Sequence, residues 1–219
     1  MISQKEWNEW LAEEQSKEYF QEIMYQVRQQ NKKKVLTPNI EDALAAFKMV
    51  NIKECHLVLI ADYPQGEPAL SDGVLFSSLA DPDPLTIKFY KQAFYEKQIS
   101  FNDEDHTKDH WLAQGIFPLY RELTAPIGTK KKDNLWDTFT KAALHKILFD
   151  NSPKCFVYFG EDASFVSWLE EHNPFGHTII DDNIKKPTFR NRNVFAKIDN
   201  FMIKNNLNKI QWTKGDYYE

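Results

Sequence analysis

Between residues 5 and 31 the apolar side chains fall three and four apart: Trp7, Trp10, Leu11, Tyr19, Phe20, Ile23, Met24 and Val27. That spacing predicts one amphipathic helix, and the cations of Lys32-Lys33-Lys34 suit its carboxyl end. A link around Pro38 leads to a second short helix, Ile40 to Phe47. The period then changes. His56 to Ile60 is a continuous apolar run bounded by Ala61-Asp62, as expected of a short buried strand entering a polar loop. The loop carries Pro64, Gly66, Pro68 and Gly73 and closes on a second apolar run, Val74-Leu75-Phe76. Pro82 to Lys97 reads as a helix with Leu85, Phe89, Ala93 and Phe94 on one side, and Ile99 to His110 as an exposed acidic loop. Beyond it come a strand after Gln114-Gly115, a helix ending at Leu148, strands at Cys155–Phe159 and His177–Asp181, and a helix from Asn193 to Asn205. In that last helix Val194, Phe195, Ile198, Phe201 and Met202 face inward. Strands alternating with helices predict an α/β fold: one domain, 1–219, with a central four-stranded, mainly parallel sheet and helices on both faces.

Composition narrows the class. With 42% hydrophobic and 14% aromatic residues among 219, the chain can bury a core and is not disordered. No apolar run approaches the length of a membrane span, and MISQKEWNEW lacks a signal-peptide core, so a cytoplasmic protein with no membrane partner is expected. The two cysteines, Cys55 and Cys155, each adjoin a strand-like run and read as buried free thiols. No Cys/His group has metal-ligand spacing, so neither a metal nor another cofactor is expected. The net charge of −5 argues against a general nucleic-acid binder, but its distribution is uneven. From Asn183 to Lys214 eight basic residues, Lys185, Lys186, Arg190 and Arg192 among them, face a single acid, Asp199. This segment is either a phosphate-binding face or a solvated helix surface.

Asp62 raises the first question of chemistry. A carboxylate at the carboxyl end of a buried strand sits where open α/β sheets keep their ligand crevice, yet Asp also simply caps turns. The segments around it resemble the family-1 uracil-DNA glycosylases. In that family a strand ends in Gly-Gln-Asp-Pro-Tyr-His-Gly, followed by Gly-Leu-Cys-Phe-Ser. Here Ile60-Ala61-Asp62-Tyr63-Pro64-Gln65-Gly66 and Gly73-Val74-Leu75-Phe76-Ser77 take those places, with Asp, both glycines and Phe matching. The family's Gln-Gly, strand, Asn-x-x-Leu-Thr is similar to Gln114 through Thr124, except that Tyr120 stands for the Asn. Its Gly-Trp-Glu-x-Phe-Thr is similar to Leu135-Trp136-Asp137-Thr138-Phe139-Thr140. Tyr19-Phe20 and Ala46-Phe47 match its opening helices, Gly160 the glycine after a strand, and Ile210-Gln211-Trp212 its tail.

The resemblance implies a DNA glycosylase, acting on a base flipped from the stack. Asp62 would hold the attacking water and supply negative charge beside the sugar cation. Phe76 would stack on the base, its other reading being an ordinary core aromatic, and Ala61, Tyr63, Gln65 and Tyr120 would line the base site. Tyr120 has one hydroxyl where the family's amide both donates and accepts, so a modified base rather than uracil is expected. The family's Tyr that excludes thymine is represented by Pro64, with Tyr63 displaced by one. The catalytic His of the family's His-Pro-Ser-Pro-Leu is replaced, in one register, by Asp182 or Asn183; a rival register uses His172. Lys185, Lys186, Arg190 and Arg192 would contact DNA. The alternative is a catalytically inactive module that binds DNA or a protein partner. A monomer is expected.

Overall fold

The computed structural model of the protein describes residues 1–65, 71–77, 82, 84–101, 107–128, 133–182 and 193–213. Its centre is a four-stranded sheet of β2 (Leu57–Ala61), β3 (Ile116–Tyr120), β5 (Cys155–Tyr158) and β6 (Thr178–Asp181), in the order β3-β2-β5-β6 and parallel throughout. A two-residue antiparallel pair, β1 (Leu36–Thr37) with β4 (Ala125–Pro126), lies outside it.

Alternation along the strands sorts the core into two faces. Val58, Ile60, Phe117, Leu119, Phe156 and Tyr158 belong to one cluster, against α1 (Gln4–Ser16), α2 (Glu18–Lys33), α3 (Ala45–Met49), α6 (Asp137–Leu148) and α7 (Ala163–Glu171). Leu57, Leu59, Ala61, Ile116, Tyr120, Cys155, Val157 and Phe159 belong to the other, against α4 (Pro84–Lys97) and α8 (Val194–Lys204). Covered on both faces, β2 and β3 are apolar or aromatic at every position, as parallel strands require. Between the faces, α5 (Thr107–Ala113) sends Leu112 to the first cluster and Trp111 to the second.

The predicted helix over 5–31 is two helices. Ser3 and Glu6 form a reciprocal capping box on α1, and the chain turns extended at Lys17 before α2 begins. Periodicity missed the break because apolar residues continue in phase across it. The short helix predicted at 40–47 is a single tight turn, Ile40–Asp42, followed by α3. The end of the predicted acidic loop is already helical, since α5 starts at Thr107. The run Val74-Leu75-Phe76 is a turn, with Phe76 at φ 64°.

Segments distant in sequence meet through side chains. Trp136 Nε1 donates to Thr124 Oγ1 at 2.9 Å, and Trp111 Nε1 to the carbonyl of Trp212 at 2.9 Å. Among the described residues, no helix is long and apolar enough to cross a membrane.

Candidate active site

Every strand of the central sheet delivers a candidate residue at its carboxyl end. Asp62 follows β2, Tyr120 ends β3 with Arg121 next, Tyr158 ends β5 with Gly160 two residues on, and Asp182 follows β6. Parallel strands put these ends on one edge, and the register sets Ala61 beside Tyr120 and Tyr158 beside Asp181.

Asp62 is 5% exposed and held from residues about a hundred positions away. The Tyr158 hydroxyl donates to Oδ1 at 2.5 Å, and the Glu161 amide to Oδ2 at 3.2 Å. Arg121 Nη1 lies 3.7 Å from Oδ1. The backbone locks the same place: the Arg121 amide donates to the Ala61 carbonyl at 2.8 Å and the Glu122 amide to the Asp62 carbonyl at 2.9 Å.

Arg121 is the hub of a buried charge cluster. It donates to Asp162 Oδ2 at 3.0 Å and Asp137 Oδ1 at 2.9 Å, and its guanidinium lies 4.0 Å from the centre of the Phe165 ring. Burial opposes the guanidinium's charge, but hydrogen bonds to Asp137 and Asp162 outweigh it and the group is held protonated above its ordinary value. Lys141 bridges to Asp137 at 2.7 Å, adding a second cation. Burial, and then the Asp62 charge, push the Tyr158 phenol well above its usual value, so it remains a donor. Glu122, whose carboxylate accepts from the Trp136 amide at 3.2 Å, is pushed up to about 7 because burial strips its water.

Gly160 makes room for the Tyr158–Asp62 pair. A Cβ there would collide with the Tyr158 ring and hydroxyl and with Asp62 Oδ1. This is a close-approach glycine rather than a flexible one.

The aromatic residues occupy the other face. Phe76 is 1% exposed, stacked on Phe89 with centroids 4.2 Å apart and edge-on to Phe159 at 5.3 Å. Its turn is fastened by Asp72, which accepts from the Val74 amide at 3.0 Å and the Ser77 hydroxyl at 2.5 Å. The Tyr90 hydroxyl donates to the Phe76 carbonyl at 2.5 Å. Gly73, at φ 76°, starts the turn against the Asp42 carbonyl, where no side chain fits. Tyr120 is 5% exposed in the same cluster. Tyr63 and Gln65 are half-buried beyond Asp62, and Ala61 is fully buried.

Asp182 is fully buried, and its amide donates to the Tyr158 carbonyl at 2.8 Å. Asn183, Lys185, Lys186, Arg190 and Arg192 lie outside the described residues. His172 caps the carboxyl end of α7, where its Nδ1 meets the Trp168 carbonyl at 2.9 Å. Since α7 returns the chain from the carboxyl end of β5 to the start of β6, His172 stands at the opposite edge of the sheet from Asp62. His177 Nε2 meets the Leu148 carbonyl at 3.0 Å, also ahead of β6. Cys55 and Cys155 are buried free thiols, and among the described residues no group of three or more His, Cys, Asp or Glu could hold a metal ion.

Sequence reasoning missed Tyr158, Arg121 and Asp162. Strand phase carried a signal for two of them. Asp62 continues the series 58, 60, 62, Arg121 the series 117, 119, 121, and Tyr158 the series 156, 158, all toward one cluster.

No family model matches the chain. Among curated relatives, the uracil-DNA glycosylase of Brevibacillus brevis is 24% identical over 96% of this chain and 95% of its own. That of Francisella tularensis is 27% identical over 94% and 97%. Among solved structures, mimivirus uracil-DNA glycosylase superposes with a TM-score of 0.78 at 18% identity, covering 95% of this chain and 86% of its own. A variant of the mimivirus protein in complex with UGI gives a TM-score of 0.77.

Proposed function

The chain belongs to the uracil-DNA glycosylase superfamily, and on that premise we propose that it hydrolyses the N-glycosidic bond of a base flipped out of DNA, with Asp62 as the catalytic carboxylate. The observation that carries the reading is a buried carboxylate at the carboxyl end of β2, braced by a phenol and an arginine beside a wall of aromatic rings. A dry, fixed charge stabilises a developing cation far better than a solvated one, because no solvent must reorganise as the charge appears. As the bond between C1′ and the base nitrogen breaks, its electron pair leaves with the base. The Asp62 carboxylate stabilises the cationic sugar and holds the water that adds to C1′, and the proton that this water loses ends on the departed base. In place of the catalytic His of that family, the reading assigns Asp182 or Asn183 to the leaving base. Lys185, Lys186, Arg190 and Arg192 supply phosphate contacts, and neutralising all four should weaken DNA binding and flatten its salt dependence.

The curated relatives are named for uracil, which makes uracil the first base to test. A preference for a modified base finds no support in those relatives; it rests on Tyr120 alone, whose single hydroxyl cannot reproduce a side-chain amide's paired contact. Retention of Asp62 inside a buried polar cluster weighs against the non-catalytic alternative. The test is base release from single-stranded DNA carrying uracil or one of several modified bases, scored as abasic sites. Release of uracil supports glycosylase chemistry and sets aside the rival base; release of another base alone supports the chemistry with altered choice. Release from nothing in the panel sinks the reading.

A further inference from the structure

We propose that Tyr158 is a positioning residue for Asp62, its hydroxyl proton committed to that carboxylate by two donors that occupy the phenol oxygen. The inference rests on the glycosylase reading and extends it to a residue that no resemblance of motif singles out.

A tyrosine hydroxyl has one proton to give and two lone pairs. Arg121 Nη1 donates to the Tyr158 oxygen at 3.3 Å, and the Asp162 amide at 3.2 Å. Both are donors only, so they claim the lone pairs and cannot take the proton. The remaining contact of the hydroxyl is Asp62 Oδ1, at 2.5 Å. The ring that carries the hydroxyl cannot swing away. It is fully buried and packs on Phe165 with centroids 4.9 Å apart, while Arg121 covers the other partner of that pair. The absent side chain at Gly160 leaves the gap that the hydroxyl and Oδ1 share. Three elements therefore converge on one orientation of one carboxylate: β5 through Tyr158, the end of β3 through Arg121, and the start of α7 through Asp162. The raised phenol keeps the donor protonated. Sequence alone hides the residue, because Tyr158 closes the apolar run Cys155-Phe156-Val157 and reads as core.

The experiment is a double-variant cycle of Tyr158→Phe and Asp62→Asn, read as single-turnover base release at saturating protein. Rates are taken per DNA-binding-competent molecule, so that an unfolded fraction does not count. Tyr158→Phe should lower the rate about tenfold or more, on the scale of losing one preorganised hydrogen bond, and leave DNA affinity unchanged. In the Asp62→Asn background the same change should add nothing, since groups acting as one unit are non-additive. A Tyr158→Phe rate within about twofold of wild type, below what such a bond is worth, overturns the positioning role and leaves the glycosylase reading standing. A loss that persists in full beside Asp62→Asn also overturns it, because Tyr158 would then act by another route. Wild-type protein that releases no base overturns both.

Discussion

The two sides of the sheet's carboxyl edge are built on opposite plans. Toward α6 and α7 lie Asp62, Arg121, Tyr158, Asp137 and Asp162, joined by hydrogen bonds of 2.5–3.3 Å and an ion pair at 3.7 Å. Toward α4 and α8 lie Phe76, Phe89, Tyr120 and Phe159, where rings fill space. A polar cluster fixes positions but tolerates no missing partner, because each buried charge then loses its compensation. An aromatic wall holds by buried area and ring geometry and decides by shape what fits against it. Under the proposed function, the first side governs how fast a bond breaks and the second governs which base is presented.

Breaking the hub tests the polar side hardest. Arg121→Leu leaves three carboxylates crowded without their shared cation, and removing one partner of such a cluster should cost about 3 kcal/mol, since Asp137 and Asp162 keep some water. Denaturant unfolding measures it, and a change under about 1 kcal/mol would mean the cluster is solvated like a surface pair. Gly160→Ala drives a methyl group into Tyr158 and Asp62 and should cost about 2 kcal/mol by overpacking, with a fall in base release. Unchanged melting and activity would show that the pair does not need this gap.

Glu122 sharpens the contrast through pH. Its proton is held more tightly in the folded chain than in the unfolded one, where the ordinary value is 4.5. Its contribution to stability is therefore whole below pH 4.5 and lost as pH rises through about 7. Glu122→Gln should flatten that slope and gain on the order of 1–2 kcal/mol at pH 8; parallel stability curves for variant and wild type would refute the burial effect. Across the edge the expected effect is on the choice of base. Tyr120→Asn should leave the rate-setting cluster intact and raise release of uracil relative to other bases by about tenfold. A uniform loss on all bases would place Tyr120 with the polar side instead.

Much of the fold was legible because the period of the apolar pattern follows the elements: four strands at their approximate places, the helices between them, and the sheet's parallel sense. Boundaries failed where backbone geometry overrode periodicity, as at Lys17, where the phase of apolar residues runs on through a break. Asp62 and Phe76 stood out as candidates because short motifs carry them. The network around Asp62 was not, since Tyr158, Arg121 and Asp162 come from three segments whose meeting only the strand order creates. An arginine at a strand's end looks exposed in sequence, and only its partners make its burial tolerable.

The central claim rests on Asp62, and base release from DNA at saturating protein tests it directly, wild type against Asp62→Asn. The amide is nearly isosteric and can still accept from Tyr158, so fold and DNA affinity should persist. Release should fall by about 100- to 1000-fold, the range for losing one preorganised electrostatic group. A variant that keeps more than about a tenth of wild-type release, well above that range, would show that Asp62 is not the catalytic carboxylate.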